Sequence, residues 1–480
     1  MALTETRPDT HAEGPVEGSS GMAPRSSVDG VLGTGDHKTI GRLYIAGGVF
    51  VLIGALVLGI VAVFYANNFD NLAAGGTDFL PQIWSLSRDL ALFGGIAPIM
   101  VGIALYIVPL QVGAPTIAFP RGASASLWTW FLGTDLLILA YVFNGGPGGG
   151  RADFVVLWVA SLAMMLGGLV WAMVCITTTI LGARTQGMTL ERVPQATWSF
   201  FVFSLVGIFS LPIVMTELLL VFLRVRYFHL PVTESASLTG VVDGLSLAPA
   251  IYWLGIPVLG MAVDIIGVHT GRPVRSHQPV LVAVGLFGVL SFGVDLVGLS
   301  SQRGVDFFNG ALVIGLLIAV LPVLAVLAMA GDSIRSGTFT PRAPLVGALV
   351  SGLLLVLATA ASILGLVAPI MSFLNRNISD SVDLTNTLIL NGTRFHEGIR
   401  ALVVGAALVG IIAALHHWST KLWGRKMAEP LGFFAILAAA GGSVIWAVGE
   451  IAAGFDDQPW LPSRATEDFN AGLALSLIHI

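Results

Sequence analysis

The sequence predicts an all-α membrane protein, a multi-span helical bundle, and three observations carry that prediction. Apolar residues make up 55% of the 480 and charged residues 11%, less than half the charged share of a soluble globular chain. The mean hydropathy is +0.87. Eleven apolar runs follow one another, each near the ~20 residues that a hydrocarbon core requires. These features exclude a soluble enzyme and a disordered chain. A net charge of −5 with no basic tail excludes a nucleic-acid partner, leaving the lipid bilayer as the main environment. The single cysteine, Cys175, excludes an intrachain disulfide and a cysteine-built zinc or iron–sulfur site.

In chain order, residues 1–35 form a polar tail rich in Gly, Ser, Pro and acids, expected to be a disordered cytoplasmic segment. It lacks the basic start and apolar centre of a secretory leader. The expected spans are 42–66, 84–110, 124–143, 153–182, 197–223, 247–267, 278–300, 307–331, 344–371, 398–420 and 430–453. Their connectors are short and carry helix-breaking residues, as in Asn144-Gly-Gly-Pro-Gly-Gly-Gly150. An inside N-terminus puts fourteen lysines and arginines in the inner segments and seven in the outer ones, so that orientation is expected. The last residues, Leu475-Ser-Leu-Ile-His-Ile480, are the translation of CTG TCT CTT ATA CAC ATC, a transposon end used in sequencing libraries. The expectation is therefore a bundle over 36–474, an artefact at 475–480 and a truncated twelfth span.

Four stretches resemble subunit I of the haem–copper oxidases, the cytochrome c and quinol oxidases. They are Asp36-His-Lys-Thr-Ile-Gly-Arg-Leu-Tyr44 and Tyr106-Ile-Val-Pro-Leu-Gln-Val-Gly-Ala-Pro115 with Ala118-Phe-Pro-Arg121. The third runs through Thr178-Thr-Ile180, Arg184, Gly187-Met-Thr189, Arg192-Val-Pro194, Trp198-Ser199 and Ser210-Leu-Pro212, and the fourth is Trp418 with Lys421 and Gly424-Arg425. Their order and spacing together make the resemblance specific over residues 33–474. It implies the family's twelve-helix fold, two haems and one copper, and a respiratory complex in which other membrane subunits join subunit I to reduce oxygen and translocate protons.

That chemistry uses six histidines, because imidazole binds iron and copper as a neutral ligand in a dry site. Here the resemblance implies other residues at those positions. The helix 2 ligand falls on Ser87. The helix 6 motif reads Ala248-Pro-Ala-Ile-Tyr252, keeping only Tyr252. The helix 7 pair becomes Val294-Asp295, and the helix 10 His-x-His becomes Gly398-Ile-Arg400. The proton-channel aspartate falls on Thr116 and the helix 8 lysine near Val326. Of nine histidines, only His416 and His417 sit inside an expected span, at its inner end. His396, near the start of span 10, is the one candidate for a displaced ligand.

No haem, copper or other metal is therefore expected. The candidate polar cluster is Asp89, Tyr252, Asp295 and Arg400, in the outer third of the spans. A lone charge in hydrocarbon costs roughly 2.5–3.5 kcal/mol, so these side chains are expected to face the interior, with Arg400 paired to Asp89 or Asp295. An interhelical ion pair and a polar cavity in place of the cofactors both meet that requirement. Asp135, Glu217, Asp264 and Glu450 are further intramembrane acids. Glu217, beyond the Ser210-Leu-Pro212 kink, is either a hydrogen-bonded acid or a proton relay. The function expected first is a non-catalytic, subunit-I-like component of a bacterial inner-membrane electron-transport complex. An active haem oxidase or nitric oxide reductase with relocated ligands, and a proton- or ion-conducting protein reusing the bundle, are the alternatives.

Overall fold

A computed structural model describes residues 33–66, 79–146, 151–228, 250–301, 307–364 and 394–455, without the side chains of 65–66, 79–81, 250–251, 292–301 and 307–317. Every expected span falls on a helix. They are α1 (His37–Ala66), α2, α3 (Pro120–Val142), α4 (Ala152–Gly182), α5 (Gln195–Tyr227), α6 (Gly255–His269, after a 3-10 turn Ala250–Leu254), α7 (His277–Ser301), α8 (Phe307–Ser336), α9 (Ala343–Leu364), α10 (Phe395–His417) and α11 (Glu429–Phe455). A short helix, Ser419–Trp423, links α10 to α11. Helix α2 is composite: Phe79–Asp89, a π-helical stretch Leu90–Ile96, then Ala97–Val112. Among the described residues ten helices are long and apolar enough to cross a membrane, and α7 contributes a shorter apolar stretch, His277–Ser291. The expected tail, the end of span 9 past Leu364, the final residues and the twelfth span lie outside the described residues.

Consecutive helices pack as antiparallel neighbours, chiefly α1 on α2, α3 on α4, α4 on α5, α9 on α10 and α10 on α11, while α6 reaches α5, α9 and α10. Helices α2 and α10 are buried along most of their length; α1 and α11 expose broad apolar faces. Hydrophobic driving force is weak between helices in lipid, so close approach through small residues matters. Gly133 and Gly168 supply it between α3 and α4: a Cβ on Gly133 would stand 2.5 Å from the Met165 nitrogen, and one on Gly168 2.6 Å from the Trp130 nitrogen.

The end of the bundle where α1 begins is termed the near end, and the opposite one the far end. The family-like motifs meet at the near end. Asp36 caps α1, its carboxylate accepting from the Lys38 and Thr39 amides, both at 3.2 Å, and from the Thr39 hydroxyl at 2.8 Å. Arg42 lies 5.5 Å from the Tyr106 ring centroid, and the Tyr106 hydroxyl donates to the Lys421 carbonyl. The Thr179 hydroxyl accepts from the Ala118 amide at 2.8 Å and donates to the Cys175 carbonyl. Asp264 of α6 caps α5 from outside that helix. It accepts from the Gln195 amide at 3.2 Å, the Ala196 amide at 3.1 Å and the Gln111 side chain at 3.3 Å. The residue before α5 is Pro194, which has no capping side chain, so the orphan amides of the first turn take their acceptor from the neighbouring helix.

Candidate functional site: a buried charge network at the far end

Six ionisable side chains converge where α2 approaches the π-helical stretch and α10 and α11 meet at the far end. Arg88 and Asp89 close the first segment of α2. Arg394 stands at the N-cap of α10, Glu397 and Arg400 follow on its first turns, and Glu450 comes from α11. None is more than 5% exposed. Three cations and three acids balance, which is what burial of charge requires.

Arg394 grips Glu450 with both prongs of its guanidinium: Nε to Oε2 at 2.7 Å and Nη2 to Oε1 at 2.6 Å. The indole of Trp446 adds a third donor to Oε1 at 3.1 Å. This bidentate, charge-assisted pair locks the start of α10 to the end of α11. Glu397 lies between two guanidiniums, with Oε2 3.3 Å from Arg400 Nη1 and Oε1 3.6 Å from Arg88 Nη1. Arg400 also lies 5.7 Å from the Trp446 ring centroid. On the other flank, Tyr141 of α3 bonds Ser85 at 3.1 Å and donates to Asp89 Oδ2 at 3.5 Å. Ion pairing at Glu397 is not matched by aligned hydrogen bonds. Both Glu397 oxygens, Arg400 Nε and Nη1, and Asp89 Oδ1 are buried without a hydrogen-bond partner.

Arg400 has a partner that the sequence reading did not weigh. It forms an ion pair with Glu397, three residues earlier on the same helix. The Asp295 side chain lies outside the described residues, as do Ala248 and the Val294 side chain. Tyr252 is not joined to this cluster by its hydroxyl, which donates to the Ala358 carbonyl of α9 at 3.2 Å, its ring standing edge-on to Phe287. Glu217 is half-buried on α5 and is not among the charges acting on Arg400. Asp135 is exposed on α3. Arg88, Arg394 and Glu397 are the members of this cluster that the sequence reading passed over. The signal was present: Arg394, Glu397 and Arg400 recur every three residues at the mouth of a helix, the spacing that puts neighbours on adjoining faces.

The residues on α2 and α10 do not fit the family's haem. Ser87 turns its hydroxyl back to the Trp84 carbonyl at 2.9 Å. Gly398 lies flat against α11, where even a Cβ would come within 2.5 Å of Ile451 Cγ1 and 2.9 Å of the Ala447 carbonyl. Arg400 is bound to Glu397, and a guanidinium has no lone pair to offer iron. His396 is half-buried, its ring 6.1 Å from that of Phe395. Among the described residues no three His, Cys, Asp or Glu side chains form a metal-binding group.

Helix order and motif placement define the class: a multi-span membrane protein with the haem–copper oxidase subunit I fold. The chain matches the family model described as cytochrome c and quinol oxidase polypeptide I over residues 39–475, and it belongs to that family. It is 26% identical over 460 residues to a probable cytochrome c oxidase subunit 1-beta of Nocardia farcinica, covering 90% of this chain and 72% of that one. It is 25% identical to quinol oxidase subunit 1 of Bacillus subtilis, covering 83% of this chain and 62% of that longer protein. A cryo-EM structure of a heme-copper terminal oxidase dimer superposes with a TM-score of 0.66 at 14% identity, over 92% of this chain and 81% of that one. That likeness concerns the fold.

Proposed function

We propose that this chain is a non-catalytic, subunit-I-like component of a membrane electron-transport complex, set in a bacterial inner membrane with its N-terminus inside and other oxidase-like subunits beside it. The observation that carries the reading is the state of the α10 ligand turn. Gly398 is pressed against α11 where no larger side chain fits, and Arg400 is committed to a carboxylate. Where the relatives' family uses imidazole to hold iron, this chain has balanced charges that join α2, α10 and α11. The network supports a structural role for the turn, since a buried pair that loses one partner is strongly destabilising. The family membership and the intact near-end motifs support retention of the scaffold, and with it association with further subunits. The orientation rests on the excess of arginine and lysine in the expected inner segments.

Oxygen uptake tests the proposal. Membranes carrying this chain as the only subunit-I-type protein are expected to consume no oxygen with reduced cytochrome c or quinol above the level of membranes lacking it. Cyanide-sensitive uptake that depends on this chain would overturn the non-catalytic reading.

A further inference from the structure

At the near end, far from the charge network, two imidazoles from different helices point their nitrogens at each other. His269 is the last residue of α6 and His417 the last of α10. His269 Nε2 and His417 Nδ1 are 3.2 Å apart, the ring centroids 5.3 Å, and the ring planes are inclined by 63°. Both side chains are half-buried. Trp418 stands edge-on behind His417, its ring centroid 5.3 Å away. His416 is turned elsewhere, its Nδ1 against the Ile412 carbonyl at 2.9 Å. Two charged groups act on the pair from neighbouring elements. Glu429, at the start of α11, attracts a cation there, and Arg342, just before α9, opposes one. Glu429 is itself anchored, accepting the Ala343 amide at 2.8 Å.

A hydrogen bond explains 3.2 Å, and so does a shared metal. With metal–nitrogen bonds of roughly 2.0–2.1 Å, a tetrahedral angle sets two imidazole nitrogens about 3.3 Å apart. The separation of the two nitrogens thus matches the bite of one ion.

We infer that His269 and His417 form a site for one borderline divalent transition-metal ion of the zinc and copper(II) class, with Nε2 of the first and Nδ1 of the second as protein ligands and water in the other positions. It is separate from the positions at which the family places its copper, and it revises the sequence expectation of no metal. Binding transfers no electrons. Each neutral imidazole presents a lone pair inward and keeps its one N–H on the outward nitrogen, so the bridging proton moves by tautomerisation and none is released. Imidazolium has no lone pair, so acid competes with the metal. Copper(II) is the tightest binder among the first-row divalent ions and therefore the probe of choice.

The test is a copper(II) titration of the full-length protein in detergent, read by electron paramagnetic resonance. The expected result is one equivalent whose spectrum carries coupling to two nitrogens, with release on acidification from neutral pH to below the ordinary imidazole range. His269→Gln and His417→Gln should each weaken binding at least tenfold, while His416→Gln should bind like the parent. Equal binding by all three variants, or a spectrum lacking coupling to two nitrogens, would overturn the site. Should a variant fail to fold, the parent protein still decides the matter. Zinc is expected to shield His269 and His417 together from an imidazole-acylating reagent, as read by peptide mass spectrometry, and equal labelling with and without zinc contradicts the inference.

Discussion

The near end and the far end of this bundle both hold carboxylates between helices, and they treat them differently. Asp264 at the near end receives two backbone amides and a side-chain amide. Around it, the stretches that resemble the oxidase family interlock: Arg42 with Tyr106, Tyr106 with Lys421, and Thr179 with Ala118. At the far end Glu397 faces two guanidiniums, yet neither of its oxygens has an aligned donor. The Arg394–Glu450 pair there, by contrast, is joined by two aligned hydrogen bonds. The motifs that survive in this chain are thus those that join helices. On the proposed reading, the residues that have changed are those to which the family gives chemistry.

The contrast yields expectations that rank by size. Breaking the far-end lock should cost most: Arg394→Ala or Glu450→Ala alone strands a buried charge, at about 3–5 kcal/mol. The melting temperature in detergent should fall sharply for each single variant, while Arg394→Met with Glu450→Met should recover much of the loss. Equal destabilisation by single and double variants would show that packing, not charge, holds α10 to α11. Next comes Gly398→Ala, whose added methyl meets Ile451 and the Ala447 carbonyl. Overpacking of this kind costs roughly 1–3 kcal/mol, and unchanged stability would show that α11 is free to retreat and the ligand turn to reopen.

Asp264→Ala should cost less, about 1–2 kcal/mol, because it removes a cap from α5 but leaves no buried charge behind. Hydrogen exchange should then increase first at Gln195 and Ala196; uniform loosening of the bundle would contradict a local capping role. The smallest effect is expected at Asp36, outside the spans. Burial raises its carboxyl pKa, but hydrogen bonds from Thr39 and Lys38 outweigh that and hold it below the ordinary value. A folded-state pKa below the unfolded one means that the contribution is present above about pH 4 and fades as pH falls through the folded value. Asp36→Ala should therefore lower the melting temperature slightly at neutral pH and not at all in strong acid.

The fold was legible in the sequence because hydrocarbon imposes a length on every span, and each of the eleven runs became a helix. Boundaries were less so: the sequence opens span 10 at residue 398, whereas α10 begins at Phe395, which brings Glu397 into the helix. That shift changed the site. With Glu397 counted as loop, it was not weighed as a partner for Arg400, and Asp89 and Asp295 were chosen. The inward orientation of Asp89 and Arg400 was foreseeable from the cost of charge in lipid. Their partners were not, because pairing depends on rotation about helix axes, and the π-helical stretch after Asp89 adds a twist that an α-helical count omits. Tyr252 was grouped with the charges by depth alone, and the structure turns its hydroxyl to α9.

Replacement of the family's iron ligands by paired charges is tested most directly by the optical spectrum of the full-length protein purified from cells supplied with haem. The expected spectrum has no Soret band and gives no haem by pyridine extraction, in the parent and in Arg400→His alike, because Gly398 and Ser87 leave a single restored imidazole without room or partner. A stoichiometric Soret band with the reduced spectrum of a bis-histidine haem would contradict that replacement and return this chain to the oxidases that its fold resembles.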